Sequence, residues 1–185
     1  MRIRILTALI LAPLLACAER PADRAADQPG ETPIMEPAPC SIEGMDNCAQ
    51  VGQVVIGSQP SQSTLEYLAS QGYTTVVSTR GAGEIDWDEQ AAVEALGMRY
   101  VSIPMGAPLT GITDEQVAAM AEVMQNGDGP MLLHCGSGNR VAGLWGVWLA
   151  EHEDVDSAEA LRLAELAGMT RVRPLVEQRL GSGGD

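Results

Sequence analysis

The sequence predicts an α/β fold: a mostly parallel sheet flanked by helices, with a cysteine-containing anion loop between a strand and a helix. Three observations carry this. Short apolar or β-branched runs alternate with helical segments across residues 50–180. Glycines and helix-capping residues separate these segments. One strand, Pro130-Met131-Leu132-Leu133, runs into His134-Cys135-Gly136-Ser137-Gly138-Asn139-Arg140 and then into a helix that is apolar from Val141 to Ala150.

Taken in order, Gln53 to Gly57 reads as the first strand, and Ser58 to Ser63 as a turn. Ser63 and Glu66 have the spacing of a capping box for a helix through Ser70, which Gly72 ends. Thr74 to Ser78 is β-branched and reads as a strand leading into Thr79-Arg80-Gly81-Ala82-Gly83-Glu84. Asp86 or Asp88 caps a helix from Glu89 to Leu96, and Gly97 turns the chain into a strand from Met98 to Ile103. The loop Pro104 to Gly111 follows. Thr113 with Gln116 starts a helix running to about Gln125, and Asn126 to Gly129 turns into the strand before Cys135. Helical segments from Ser157 to Ala167 and from Arg171 to Leu180 precede a Gly-rich tail, residues 181–185. In parallel sheets ligands sit beyond the carboxyl ends of the strands, so Arg80, the Pro104–Gly111 loop and Cys135 are expected on one rim.

The loop after the last strand carries the chemistry. A helix N-terminus has unpaired N–H groups and partial positive charge, which favours an anion and stabilises a thiolate. Gly136 and Gly138 let backbone N–H groups turn inward, and Arg140 adds a planar cation suited to oxyanions. Trp145 and Trp148 read as packing residues on the helix that follows, as do Met120 and Met124 on theirs. His152 with the acidic run Glu151 to Asp156 reads as a solvated helix end, and no metal-ligand spacing or cofactor motif occurs.

The formal net charge is −14, and all 11 cations are arginine. Such acidity argues against nucleic acid as a partner and requires a local basic site for any anionic substrate. At the N-terminus, Arg2 and Arg4 precede an apolar run from Ile5 to Leu15, the length of a signal-peptide core and too short to span a bilayer. Leu14-Leu15-Ala16-Cys17 resembles a bacterial lipobox, which makes Cys17 the expected lipidation site. Ala16-Cys17-Ala18 also fits ordinary signal cleavage. Residues 1–16 are thus expected to be a signal peptide, and the protein to be exported and held in the periplasm or at the outer membrane by a lipid. Residues 17–49 read as a Pro-, Ala- and acid-rich disordered tether ending in a loop bracketed by Cys40 and Cys48. Two cysteines this close in an oxidising compartment are expected to form a disulfide, which leaves Cys135 as the unpaired thiol.

His-Cys followed by a Gly-rich loop and Arg resembles the signature of cysteine-dependent tyrosine and dual-specificity phosphatases. The pattern from Ile56-Gly57-Ser58-Gln59-Pro60-Ser61 through Ala92–Tyr100 to His-Cys-Gly-Ser-Gly-Asn-Arg-Val resembles the phosphatase-like domain of beta-lactamase hydrolase-like proteins, over roughly residues 50–180. The resemblance implies a cysteine-phosphatase-like fold with Cys135 as nucleophile, Arg140 as phosphate clamp, and residues Gly136, Ser137, Gly138 and Asn139 completing the cradle. Arg80, on the same rim, is a second candidate phosphate contact. The implied reaction is hydrolysis of phosphate monoesters, on a small molecule or a phosphoprotein, through a phosphocysteine and without a cofactor.

The chain departs from the phosphatase pattern in three places. Four residues separate Cys135 from Arg140, one fewer than in tyrosine phosphatases and the length found in rhodanese-type sulfurtransferases. Val141 stands where many phosphatases have Ser or Thr, and Ser137 is a substitute candidate for donating to the thiolate. The Pro104–Gly111 loop has no carboxylate to act as general acid, leaving Glu84, Asp86, Asp88 or Asp114, or no acid at all. Two other readings follow: a sulfurtransferase carrying a persulfide on Cys135, and a non-catalytic anion-binding module.

Overall fold

A computed structural model describes residues 35–106 and 108–182. Six strands and six helices run β1 (Ala38–Pro39), β2 (Cys48–Val51), β3 (Val54–Gly57), α1 (Gln62–Ser70), β4 (Thr75–Ser78), α2 (Glu89–Ala95), β5 (Arg99–Ser102), α3 (Asp114–Asn126), β6 (Met131–His134), α4 (Asn139–His152), α5 (Ser157–Leu166) and α6 (Arg173–Ser182). The strands form one sheet in the order β1-β2-β3-β6-β4-β5. β3, β6, β4 and β5 are mutually parallel, while β1 and β2 join antiparallel at one edge.

All four residues of β6 and of β4 are buried, as expected for strands covered on both faces. Alternate side chains supply the two cores. Ile56, Val77 and Leu133 face the layer of α3, α4, α5 and α6, and Val55, Val76 and Leu132 face α1 and α2. α4 is buried along most of its length because it packs against α3, α5 and α6. Gly146 makes the α5 approach possible: a Cβ there would fall 2.7 Å from the Ala164 methyl. Trp145, Trp148 and Met120 lie in this core, with Met124 packed against it.

Register positions the site. Gly57 and Ser78 both sit opposite His134, so β3, β6 and β4 end level, and the residues that follow them meet on one rim. Thr79 N–H donates to the His134 carbonyl at 2.9 Å, and Cys135 N–H donates to the Gly57 carbonyl at 3.3 Å.

The structure corrects the sequence reading in some places and agrees with it in others, as at the Cys40–Cys48 disulfide and the Thr113–Gln116 box. The folded domain reaches back to Met35, so the expected tether and loop of 17–49 loses its last part to β1 and β2. Strands of two and four residues are too short to show a period, and Pro39 is tolerated because β1 is an edge strand. Cys40 and Cys48 are disulfide-bonded across this edge. Ser61, not Ser63, caps α1, accepting from Thr64 N–H at 3.1 Å. Asp88 rather than Asp86 caps α2, α3 carries the Thr113–Gln116 capping box, and α4 begins at Asn139, ahead of its apolar stretch. The expected signal-peptide segment and Cys17 lie outside the described residues. No helix among the described residues is long and apolar enough to cross a membrane.

Candidate active site

β6 delivers Cys135 to the rim, and the chain turns at once into α4. The turn is made at Gly138, which is the N-cap at φ 82°. A Cβ there would stand 3.3 Å from the Gly57 carbonyl carbon, so glycine is required both for the left-handed backbone and for the close approach to β3. Ser137 bridges to Ser58, which pins the loop's middle to the end of β3. Ser58 is itself held, its Oγ accepting from the N–H groups of Asp46 (2.9 Å) and Asn47 (3.2 Å) in the disulfide-closed loop.

Cys135 is 1% exposed. Burial alone would push its thiol pKa up, but the backbone N–H groups of Ser137, Val141 and Arg140 converge on the sulfur and the Arg140 charge is close, so the net shift is downward. The expected donor at Ser137 is therefore its backbone N–H.

Arg140 is gripped by Glu84. Nη1 donates to Oε1 at 2.8 Å and Nη2 to Oε2 at 2.5 Å, and Nη1 also donates to the Met105 carbonyl. Gly81 N–H donates to Glu84 Oε1 at 3.0 Å, and Arg80 Nε lies 3.7 Å from Oε2. These partners hold the Glu84 carboxyl at about 2, against an ordinary 4.5, with the Arg140 hydrogen bonds the main cause. The two guanidiniums flank Gly136: a Cβ at that position would be 3.6 Å from Arg80 Nη1 and 4.0 Å from Arg140 Nη2. Two cations share one carboxylate, which leaves net positive charge above the loop.

Glu84 is thus an ionised clamp partner, and the sequence-derived role of general acid does not fit it. Asp88 is used as a helix cap, accepting from Ala91 N–H at 2.9 Å. Asp114 pairs with Arg179. Of the four acid candidates, Asp86 alone is exposed and without an ion pair or hydrogen bond among the described residues. The Asn139 side-chain oxygen is also committed elsewhere. Oδ1 accepts from Thr170 N–H (2.7 Å), Thr170 Oγ1 (3.1 Å) and Val172 N–H (3.4 Å), tying α4 to the segment before α6.

Two residues of the neighbourhood escaped sequence reading. Glu89, 3% exposed, lies 3.3 Å from Nε2 of the fully buried His134 and accepts from Tyr100 Oη at 3.2 Å and from Gln59 Nε2. An acid in the first turn of a helix reads as a dipole partner, so its burial leaves no local trace. Gln59, in a turn, also accepts from Arg80 Nη1 at 3.1 Å.

The depressed Glu84 value has a stability consequence. Its folded pKa lies below the unfolded one, so the pair stabilises the fold fully above about 4.5 and loses that contribution as pH falls toward about 2. In urea unfolding, wild type is expected to exceed Glu84→Gln at neutral pH, with the gap closing across that acidic window. A gap that persists at the acid end would exclude the ion pair as its source.

A buried thiol at the end of a central parallel strand, N–H groups aimed at it, and an arginine clamp held by a carboxylate together define the class of cysteine-phosphatase folds. Residues 36–174 match the family described as DSP-PTPase phosphatase fused to NAD+ kinase, and the chain belongs to it. A beta-lactamase hydrolase-like protein of Agrobacterium fabrum is 30% identical over 98 residues, 50% of this chain and 22% of the relative. The chain therefore matches about a fifth of the length of that curated relative. Among solved structures, TpbA of P. aeruginosa superposes with a TM-score of 0.61 at 19% identity, covering 84% of this chain and 94% of that one. The core catalytic domain of the PP-IP phosphatase SIW14 from S. cerevisiae gives 0.59 at 17%, covering 76% and 87%. At these identities the structural likeness establishes the shared fold.

Proposed function

We propose that this protein hydrolyses phosphate monoesters through a phosphocysteine on Cys135. The observation that carries the proposal is the convergence of the Ser137, Arg140 and Val141 N–H groups and the Arg140 charge on a buried thiol whose pKa they lower. Cys135 Sγ attacks phosphorus while the bond to the leaving-group oxygen breaks, and that oxygen takes a proton from solvent or an acid. Water then attacks the phosphocysteine, the S–P bond breaks to return the thiolate, and the water's proton is lost. Arg140, Arg80 and the loop N–H groups stabilise charge on the non-transferring oxygens.

The acid is the weak part of the machinery. Glu84, Asp88 and Asp114 are occupied, and acid–base help is worth about 10²–10⁴-fold. The expected result is a steep leaving-group dependence, with activated aryl phosphates turned over readily and alkyl phosphates barely. Acid-quenched enzyme should carry one phosphoryl group on Cys135 by mass spectrometry. Absence of both turnover and phosphocysteine in the reduced protein would sink this reading. A Cys135 persulfide after thiosulfate treatment would then favour sulfur transfer, to which the four-residue spacing of the loop is suited.

We further propose that the protein works outside the cytoplasm on a lipid anchor at Cys17, supported by the Arg2–Cys17 pattern. Metabolic labelling with a fatty acid should mark wild type and not Cys17→Ser. Equal labelling of both would refute the anchor.

A further inference from the structure

We propose that Glu89 is a positioning residue: it holds Arg80 over the anion loop through the amide of Gln59. The proposal rests on the reading that Arg80 contacts the bound anion. Arg80 sits in the loop after β4, and its one side-chain hydrogen bond among the described residues goes to Gln59 Oε1. The Glu84 carboxylate, which it shares with Arg140, lies 3.7 Å from Arg80 Nε and receives no hydrogen bond from it. The direction in which Arg80 points over Gly136 therefore depends on which face of the Gln59 amide it meets.

An amide has two faces of similar shape and opposite polarity. Reversed, Gln59 would turn its NH2 group toward the guanidinium, donor against donor. Gln59 Nε2 instead donates to Glu89 Oε1, with a longer contact to the Pro60 carbonyl at 3.3 Å. An ionised carboxylate only accepts, so it admits one sense of the amide. Glu89 is suited to this. Its carboxyl is pulled below the ordinary range, despite burial, by His134 beside it and by the hydrogen bonds from Gln59 and Tyr100. Among the described residues it has no Arg partner. A buried acid without an Arg partner is costly, and a neutral side chain would fill the same space more cheaply. Besides its pairing with His134, what the carboxylate adds is its inability to donate.

The experiment is calorimetric titration of inorganic phosphate into wild type, Glu89→Gln, Arg80→Ala and the double variant. Phosphate binding needs no turnover, so the proposal can be judged even if the hydrolytic reading fails. Glu89→Gln keeps the shape but can donate, which frees the amide to reverse. The expected result is about tenfold weaker phosphate binding in each single variant, the scale of one charge-assisted hydrogen bond. The double variant should bind no more weakly than Arg80→Ala alone. In Glu89→Gln, kcat/KM for an aryl phosphate should fall by at least the same factor. Losses that multiply in the double variant, or unchanged affinity in Glu89→Gln, would overturn the proposal. Wild-type affinity in Arg80→Ala would overturn it too, by removing the anion contact it serves. Should Glu89→Gln fail to fold, Gln59→Met removes the amide without emptying the half-buried site, and the same non-additivity with Arg80→Ala is expected.

Discussion

Cys135→Ser should abolish hydrolysis of an activated aryl phosphate while leaving the protein folded. Serine is nearly isosteric with cysteine, and at a 1%-exposed position the exchange alters packing little. Chemically it alters everything. The loop N–H groups and Arg140 lower the pKa of a thiol that starts at 9.0, and the same donors acting on an alcohol leave it protonated at neutral pH. Loss of the nucleophile is expected to cost on the order of 10⁴-fold or more in kcat. The variant should still bind inorganic phosphate, because the cradle is backbone and arginine. Steady-state kinetics beside a thermal melt would check this. Activity within tenfold of wild type would remove Cys135 from the mechanism.

Arg140→Lys should cost about 10²–10³-fold in kcat/KM, the scale of losing a preorganised oxyanion donor. The charge survives this substitution, so the loss measures geometry. Arg140 contacts both Glu84 oxygens and the Met105 carbonyl with its two Nη atoms, and its charge reaches Cys135. A lysine ammonium is a single point with three donors and cannot span a carboxylate, a carbonyl and an anion together. Because the positive charge and the backbone N–H that lower the thiol pKa both survive, alkylation of Cys135 by iodoacetamide should keep its wild-type pH profile in the variant. Near-wild-type kcat/KM would show that the clamp geometry is dispensable.

The alternating elements and the loop were legible because their signals are local. β-branched runs, capping residues and glycines report on their own neighbours, and the Cys–Gly-x-Gly–x-Arg order needs no distant partner to be read. Thr113 and Gln116 illustrate this, since their spacing alone specifies the box that the structure contains. The edge hairpin was not legible. β1 and β2 are too short for a period, and their pairing depends on β3. Glu84 was visible as an acid near the rim, but its partner Arg140 lies 56 residues away. Asn139 was visible as a loop residue, but the partners of its side-chain oxygen, Thr170 and Val172, lie 31 and 33 residues away.

By itself the sequence determined that a thiol stands where a strand meets a helix N-terminus, with glycines and an arginine around it. That much follows from short-range stereochemistry, which the order of residues specifies completely. Only the tertiary structure decided which residues share the rim. Placing β6 between β3 and β4 brings Gln59, Arg80 and Cys135 to level strand ends. The same packing assigns Glu84 to the clamp and buries Glu89 behind it. The role of a carboxylate depends on its neighbours in space, since burial and partners decide whether it gives a proton, holds an arginine or orients an amide.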